Sequence, residues 1–299
     1  MKKNFLIAIL MATGTLHAQT PALYECIYEY NVNGTSDKGA LSEIYNCMLQ
    51  IGENGSRFVD YAAYQLDSVS AIPGINTEIL KEYEKKDMQA SPYFDREIRY
   101  SPLSSMLTMQ GQIGLNYGKY EEKVPVTEWT LTDETDTICG YECRKATGNY
   151  GDRDWTIWFA EDIPAPYGPW KFAGLPGLVM KAEDSEGIHR FTAIAYRQAT
   201  VNIPVDRRPN VLKMDHNKFE QMKNVFDSDP FHSVNPSDIR TIDVLTDNQT
   251  VKVNGIQFRV REKGFIPLEK WTEADKAKAT RQHPGESIKV IGSGTSMKK

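Results

Sequence analysis

The sequence predicts a mainly β (α+β) fold: one large curved antiparallel sheet, half-open-barrel-like, with two or three helices. Three observations lead there. Short runs rich in Tyr, Val, Ile, Phe and Trp recur at about 10-residue spacing, separated by Gly, Asn, Asp and Pro, as in a sheet meander. Only a few stretches carry apolar residues at the 3.6-residue helical period. The 299 residues contain no internal repeat and no composition break that would divide them, so one sizeable core is expected.

In chain order, Met1-Lys2-Lys3 and the apolar run 5–11 read as an export leader, with cleavage near Ala18. That run is well short of the roughly 20 residues a bilayer span needs, and no later stretch is longer. The expected organisation is a leader at 1–18, a single β-rich domain at 19–290 and a disordered tail at 291–299. Residues 24–32 and 41–51 read as paired strands, with a turn-rich loop at 33–39. Residues 58–66 read as a strand carrying Phe58, Tyr61 and Tyr64. Residues 77–88 read as a helix capped by Asn76, with Ile79, Leu80 and Tyr83 near one face.

Strands follow at 95–101, 105–117, 124–132 and 137–146. Gly148-Asn149-Tyr150-Gly151-Asp152 is turn-rich, and 155–160 is an aromatic strand. Pro164 and Pro166 make 161–168 a loop. Strands resume at 178–183 and 188–197, and 215–226 has helical spacing through Phe219, Met222, Val225 and Phe226. Residues 239–244, 250–253 and 257–261 return to strand, with a hairpin turn at Asn254-Gly255. Residues 272–281 read as a terminal helix.

Loss of Lys2 and Lys3 with the leader takes the formal net charge from −5 to −7. That balance argues against nucleic acid or an anionic membrane surface as a partner.

Four cysteines remain: Cys26, Cys47, Cys139 and Cys143. In an exported chain an even count suggests disulfides. Folding the first hairpin about Ser36 and Asp37 sets Cys26 opposite Cys47, the expected bridge. On one continuous strand Cys139 and Cys143 lie about 13 Å apart, too far to bond unless the chain turns at Gly140.

The most specific stretch is 168–181, Gly-Pro-Trp-Lys-Phe-Ala-Gly-Leu-Pro-Gly-Leu-Val-Met-Lys. Leu175-Pro176-Gly177-Leu178 suggests a type II turn, with Pro176 presetting φ and Gly177 taking the positive φ, and Gly174 a second permissive position. Trp170 and Phe172 precede this corner. Trp158, Trp170, Phe172, Leu175 and Leu178 are therefore the candidate lining of an apolar pocket, against the plainer reading that all of them are core.

This segment, reading Gly174-Leu175-Pro176-Gly177-Leu178-Val179, resembles the signature of the GLPGLI family of exported envelope proteins of Bacteroidota-type bacteria. Val179 replaces the family's final Ile. The likeness extends to Gly140-Tyr141-Glu142-Cys143-Arg144-Lys145-Ala146, to Asp154-Trp155-Thr156-Ile157-Trp158-Phe159, to Ile163-Pro164 and to Pro267-Leu268-Glu269, where Phe265-Ile266 stands in place of the usual Asn. The resemblance implies a periplasmic or secreted location and a β-rich fold, and implies no reaction.

Catalytic signals are sparse. His189, His216, His232 and His283 lie at no ligand-pair spacing, so no metal is expected, and there is no nucleophile elbow or phosphate-cradling glycine loop. Asp152-Arg153-Asp154 reads as an exposed charge cluster at a turn, and Glu183-Asp184 as a turn cap. The expected function is a non-enzymatic binding or assembly factor, without cofactor, for an apolar ligand, a peptide or an outer-membrane protein. The alternatives are a structural accessory of an outer-membrane transport complex, engaged through a sheet edge, and a hydrolase with a dispersed acidic site.

Overall fold

The computed structural model describes residues 20–36, 39–90, 96–113, 116–124, 127–205 and 211–228, and beyond these 237, 240–244, 250–253, 256–259 and 268. The leader, the Asn254-Gly255 turn, the helix expected at 272–281 and the tail lie outside the described residues.

Two meanders build one twelve-stranded sheet. The first runs through β1 (Ala22–Ser36), β2 (Gly39–Gly52), β3 (Gly55–Asp60), α1 (Tyr61–Ser70), α2 (Thr77–Ala90), β4 (Arg96–Ser101), β5 (Met106–Ile113) and β6 (Asn116–Lys123). The second runs through β7 (Thr130–Ile138), β8 (Tyr141–Tyr150), β9 (Arg153–Ala160), β10 (Leu178–Asp184) and β11 (His189–Gln198). β1 and β11 pair antiparallel and join the two halves, Tyr24 facing Gln198 and Val32 facing His189. β12 (Val211–Lys213) lies parallel to β6 at one edge and leads into α3 (His216–Ser228). A separate antiparallel sheet holds β13 (Ile242–Val244), β14 (Thr250–Val253) and β15 (Ile256–Arg259). Among the described residues the fold is thus mainly β, with one large open sheet and three helices, as the strand spacing predicts.

Alternation along the strands separates two faces. Cys26, Tyr28, Tyr30 and Val32 of β1 and Cys47, Leu49 and Ile51 of β2 point into the main core. Met48, Val59 and Tyr64 form a second, smaller cluster under α1 on the opposite face. α1 is held there by the buried Arg57, which pairs with Asp67 and, at 3.0 Å, with Glu97, and by the Tyr64 hydroxyl donating to Glu25 at 2.7 Å.

The strand expected at 105–117 is two strands, β5 and β6, and the one expected at 124–132 begins only at Thr130, in β7. Three further expectations are corrected. The strand expected at 58–66 ends at Asp60. The Asp60 carboxylate accepts from the Ala62 N–H at 2.8 Å and caps α1; Tyr61 and Tyr64, three residues apart, then follow the helical period instead of the strand period. The strand expected at 137–146 is two strands, because Cys139 (φ 53°) and Gly140 (φ 84°) reverse the chain in a two-residue turn. Both φ values are positive, the type I′ geometry whose twist matches flanking strands. Gly151 (φ 60°) and Asp152 (φ 55°) repeat it between β8 and β9.

Third, Cys26 and Cys47 do not bridge: all four cysteines are free. Ser36 pairs with Gly39, which sets Cys26 opposite Leu49 and Cys47 opposite Tyr28. Diagonal neighbours of this kind stand about 7–8 Å apart, beyond the reach of a disulfide.

Asp60→Ala removes the cap where the chain leaves the sheet for α1. It is expected to lower the unfolding free energy by about 1 kcal/mol in urea denaturation; an unchanged midpoint would show that α1 needs no cap.

Candidate functional site

Residues 161–177 connect β9 to β10 and cross the inner face of the sheet. Pro164, Pro166, Pro169 and Pro176 cannot donate to a ladder, which keeps the segment out of the sheet. Its backbone is satisfied within the loop and by the strand that follows. Gly174 N–H donates to Pro166 O at 3.2 Å, Leu178 N–H to Ile163 O at 3.1 Å and Val179 N–H to Tyr167 O at 2.9 Å. The Tyr28 hydroxyl of β1 donates to Val179 O at 2.6 Å and ties the end of the loop to the sheet centre.

Trp170, Phe172, Leu175 and Leu178 are all buried in the main core. The Trp170 ring lies 4.9 Å from Tyr150, 5.7 Å from Trp155 and 5.2 Å from Phe172, and Phe172 meets Trp155 at 4.8 Å. Trp155 itself is buried, with Nε1–H donating to Tyr150 O at 3.0 Å. Trp158, three residues on, points to the other face of β9 and is half-buried beneath the Lys145 ammonium, 5.8 Å from its ring centre. The structure therefore buries four of the five candidate lining residues in the main core, with Trp158 only partly buried against it. The void beside them, walled by Phe58, Tyr100, Tyr167, Trp170 and Phe172, is about 10 Å3, the space of one water. The loop itself fills the place of the expected pocket.

The corner is not a type II turn. The positive φ falls on Gly174 (87°), and Gly177 does not adopt one. Gly177 is required for a different reason: a Cβ there would lie 2.1 Å from the Ala160 carbonyl oxygen and 2.6 Å from its carbon. Trp170 carries the strain instead, at φ 51°. A bulky side chain in this region costs on the order of 1–3 kcal/mol, which the buried aromatic contacts offset.

Next to Trp170, a charged side chain enters the core. The Lys171 ammonium is fully buried, 3.0 Å from the Tyr120 hydroxyl and 2.6 Å from Glu122 Oε1 on β6. Glu122 Oε2 lies 3.1 Å from His216 Nδ1, at the start of α3. His216 stacks on Tyr120, ring centres 4.6 Å apart at 8°. Its Nε2 lies 3.9 Å from Glu220, which Arg96 grips with both guanidinium nitrogens at 2.5 and 3.0 Å. Burial by itself would raise the Glu122 carboxyl. The His216 hydrogen bond and the Lys171 charge outweigh it and hold the group below its ordinary value. The arrangement is an ion-paired clamp that fixes the loop to β6 and α3. Sequence reasoning missed it, although Lys171 flanked by Trp170 and Phe172 was a visible signal: a charge inside an apolar run is buried only with a partner.

The cluster expected to be exposed at Asp152-Arg153-Asp154 is divided. Asp154 is exposed, but Arg153 is buried, 2.8 Å from Asp184 and 2.9 Å from Glu186, with its Nε–H donating to Leu268 O at 3.1 Å. Alternation along β9 puts Arg153 on the inward face shared with Trp155 and Ile157. Asp184 also accepts from the Ile188 and His189 N–H groups at 2.7 and 3.1 Å, the turn-capping role its position predicts.

Gly177→Ala is expected to cost about 1–3 kcal/mol by overpacking against Ala160; an unchanged melting temperature would refute that contact. Because Glu122 binds its proton less readily in the folded chain than its ordinary value of 4.5, its contribution to stability is present above pH 4.5 and lost as pH falls through the depressed value. Glu122→Gln should therefore show a shallower loss of stability on acidification than the parent chain, and parallel profiles would refute the clamp.

No protein-family model matches this chain, and no curated protein matches it. Among solved structures, PNGF-II is similar with a TM-score of 0.47 at 15% identity, over 78% of this chain and 40% of that one. MucB in complex with MucA(peri) is similar with a TM-score of 0.29 at 10% identity, over 62% of this chain and 52% of that one. A putative outer membrane lipoprotein-sorting protein domain from Vibrio parahaemolyticus is similar with a TM-score of 0.22 at 6% identity, over 60% of this chain and 86% of that one. This chain thus spans 40% of PNGF-II and 52% of MucB in length. All three scores are below 0.5, so the functional reading is carried by the chain's own residues.

Proposed function

We propose that this chain is an exported cell-envelope protein of GLPGLI type that catalyses no reaction and acts as a binding or assembly factor. Its ligand is an apolar segment, lipid-like or peptide, received on the inner sheet face beside the 174–178 corner. The observation that carries this reading is the loop at 161–177. It is a proline-broken apolar peptide laid across the concave face, and it supports the reading because that face already takes apolar groups: Trp170 and Phe172 lie against Tyr150, Trp155 and Phe58, with Leu175 in the same core. The void beside Trp170 and Phe172 is about 10 Å3, so a ligand there enters by replacing loop side chains. The strained φ of Trp170 lowers the cost of that exchange, because the strain is released when the residue leaves.

The sheet edges suit partners less well. β7 carries Asp133, Glu134 and Asp136, and its ladder with β8 is interrupted between Leu131 and Thr135. β12, at the other edge, is three residues long. Charges, a bulge and brevity are the features that discourage strand addition.

Native mass spectrometry of the chain purified from the envelope fraction tests the reading. A co-purifying lipid or peptide is expected. Trp170→Ala, which removes the competing ring at a cost of about 3–5 kcal/mol in stability, should bind an apolar fluorescent probe more tightly than the parent chain does. Ligand-free protein together with unchanged probe binding would sink the proposal.

A further inference from the structure

The outer strands β7 and β12 discourage strand addition, but a third stretch of edge lies within the sheet. β1 and β2 pair along their length, from Ala22 opposite Gly52 to Ser36 opposite Gly39. Their neighbours are shorter. β3 leaves β2 at the Cys47–Asp60 pair, where Asp60 caps α1 and the chain turns off the sheet. β11 leaves β1 at the Val32–His189 pair, and the Asn33 N–H then donates to Ile188 O at 2.7 Å. On the β2 side of this hairpin, Ala40–Asn46 therefore has no strand beside it among the described residues. Those residues span about 23 Å of extended chain.

The register fixes which backbone groups this edge presents. Only two residues separate Ser36 from Gly39, so that pair exchanges both its N–H and C=O bonds. Every second residue of β2 does the same with β1, through Leu41, Glu43, Tyr45 and Cys47. Ala40, Ser42, Ile44 and Asn46 turn their N–H and C=O groups away from β1. Ser42, Ile44 and Asn46 are exposed, Ile44 to 62%. The stretch holds no proline and no lysine, and its register with β1 runs without a bulge, so the usual guards of a free edge are missing. Its side chains alternate between two faces. Tyr45 packs on the main core beside Cys47, and the exposed Glu43 continues that face, accepting from the Tyr45 hydroxyl. Ile44 lies on the opposite face, the one that carries Met48.

We propose that Ala40–Asn46 of β2 receives an extended peptide of alternating apolar and basic residues as an added strand. The outward N–H and C=O groups of Ala40, Ser42, Ile44 and Asn46 bind its backbone, and the side chains select its sequence. On one face the peptide meets the exposed Ile44, which an apolar residue covers; on the other it meets the Glu43 carboxylate, which a basic residue neutralises. A second copy of this chain fits the edge less well, because it brings another Glu43 and a formal net charge of −5. The surface is separate from the inner sheet face, and a strand added here leaves the loop at 161–177 in place.

Fluorescence anisotropy with a dye-labelled heptapeptide of alternating Lys and Val tests this, beside one of alternating Glu and Val. The Lys–Val peptide is expected to bind the purified chain at least about tenfold more tightly than the Glu–Val peptide. Ile44→Pro removes one outward N–H and no bond to β1, at a position where an edge strand tolerates proline. It should weaken Lys–Val binding by about tenfold at unchanged net charge, which separates strand addition from general attraction to an acidic chain. Glu43→Lys, a substitution at an exposed side chain, should reverse the preference between the two peptides and decides the matter even if the proline variant does not fold. Absence of Lys–Val binding, binding unchanged by either substitution, or a dimer in sedimentation equilibrium that Ile44→Pro disperses would overturn the proposal. None of these outcomes depends on whether an apolar ligand co-purifies.

Discussion

A sheet of twelve strands that curls has a concave face, and that face must be covered by apolar groups. Here the chain covers it with itself. The loop between β9 and β10 presses Trp170, Phe172 and Leu175 onto Trp155, Tyr150 and their neighbours. Burying a large aromatic side chain is worth roughly 1.5–3 kcal/mol, enough to hold Trp170 in a left-handed backbone conformation that bulky residues otherwise avoid. The loop, not an empty chamber, sits at the centre of the fold.

The same loop carries Lys171 into the interior, and a buried ammonium without a partner is very costly. Glu122 and Tyr120 meet it from β6, while His216 and Glu220 extend the chain of charges to α3 and, through Arg96, to β4. Aromatic packing sets the position of the loop on one side, and ion pairing sets it on the other. Displacing it for a ligand would break both, so affinity has to exceed the sum of those contacts less the strain released at Trp170.

Much of this was legible in the sequence. Strand periodicity marked most of the twelve strands. α2 was marked by Asn76 and α3 by the helical spacing of Phe219, Met222, Val225 and Phe226; in the structure the Asn76 and Asp215 side chains accept from the Glu78 and Lys218 N–H groups. The stretch around Trp170 and Gly177 was singled out for its Pro-Gly turn residues, its flanking aromatics and its resemblance to a family signature, and it is the segment that covers the inner face. Where the reading failed, a local signal had two solutions. Tyr61 and Tyr64 suit a strand or a helix until Asp60 caps one of them. Cys139-Gly140 reads as strand interior until both residues take positive φ. The Cys26–Cys47 pairing depended on a hairpin centre that composition left uncertain by one residue, and that shift moves each residue's partner by two.

Periodicity, turn residues and the apolar signature determined by themselves that this chain is a β-rich protein with one unusual loop, because those signals are local and repeat at fixed spacing. Tertiary structure alone decided that Gly177 is required by the Ala160 carbonyl, and that Arg153 and Lys171 are buried with carboxylate partners. Each of these is a contact between segments far apart in the chain. Their approach is set by how a twisted sheet curls, which strand spacing does not encode.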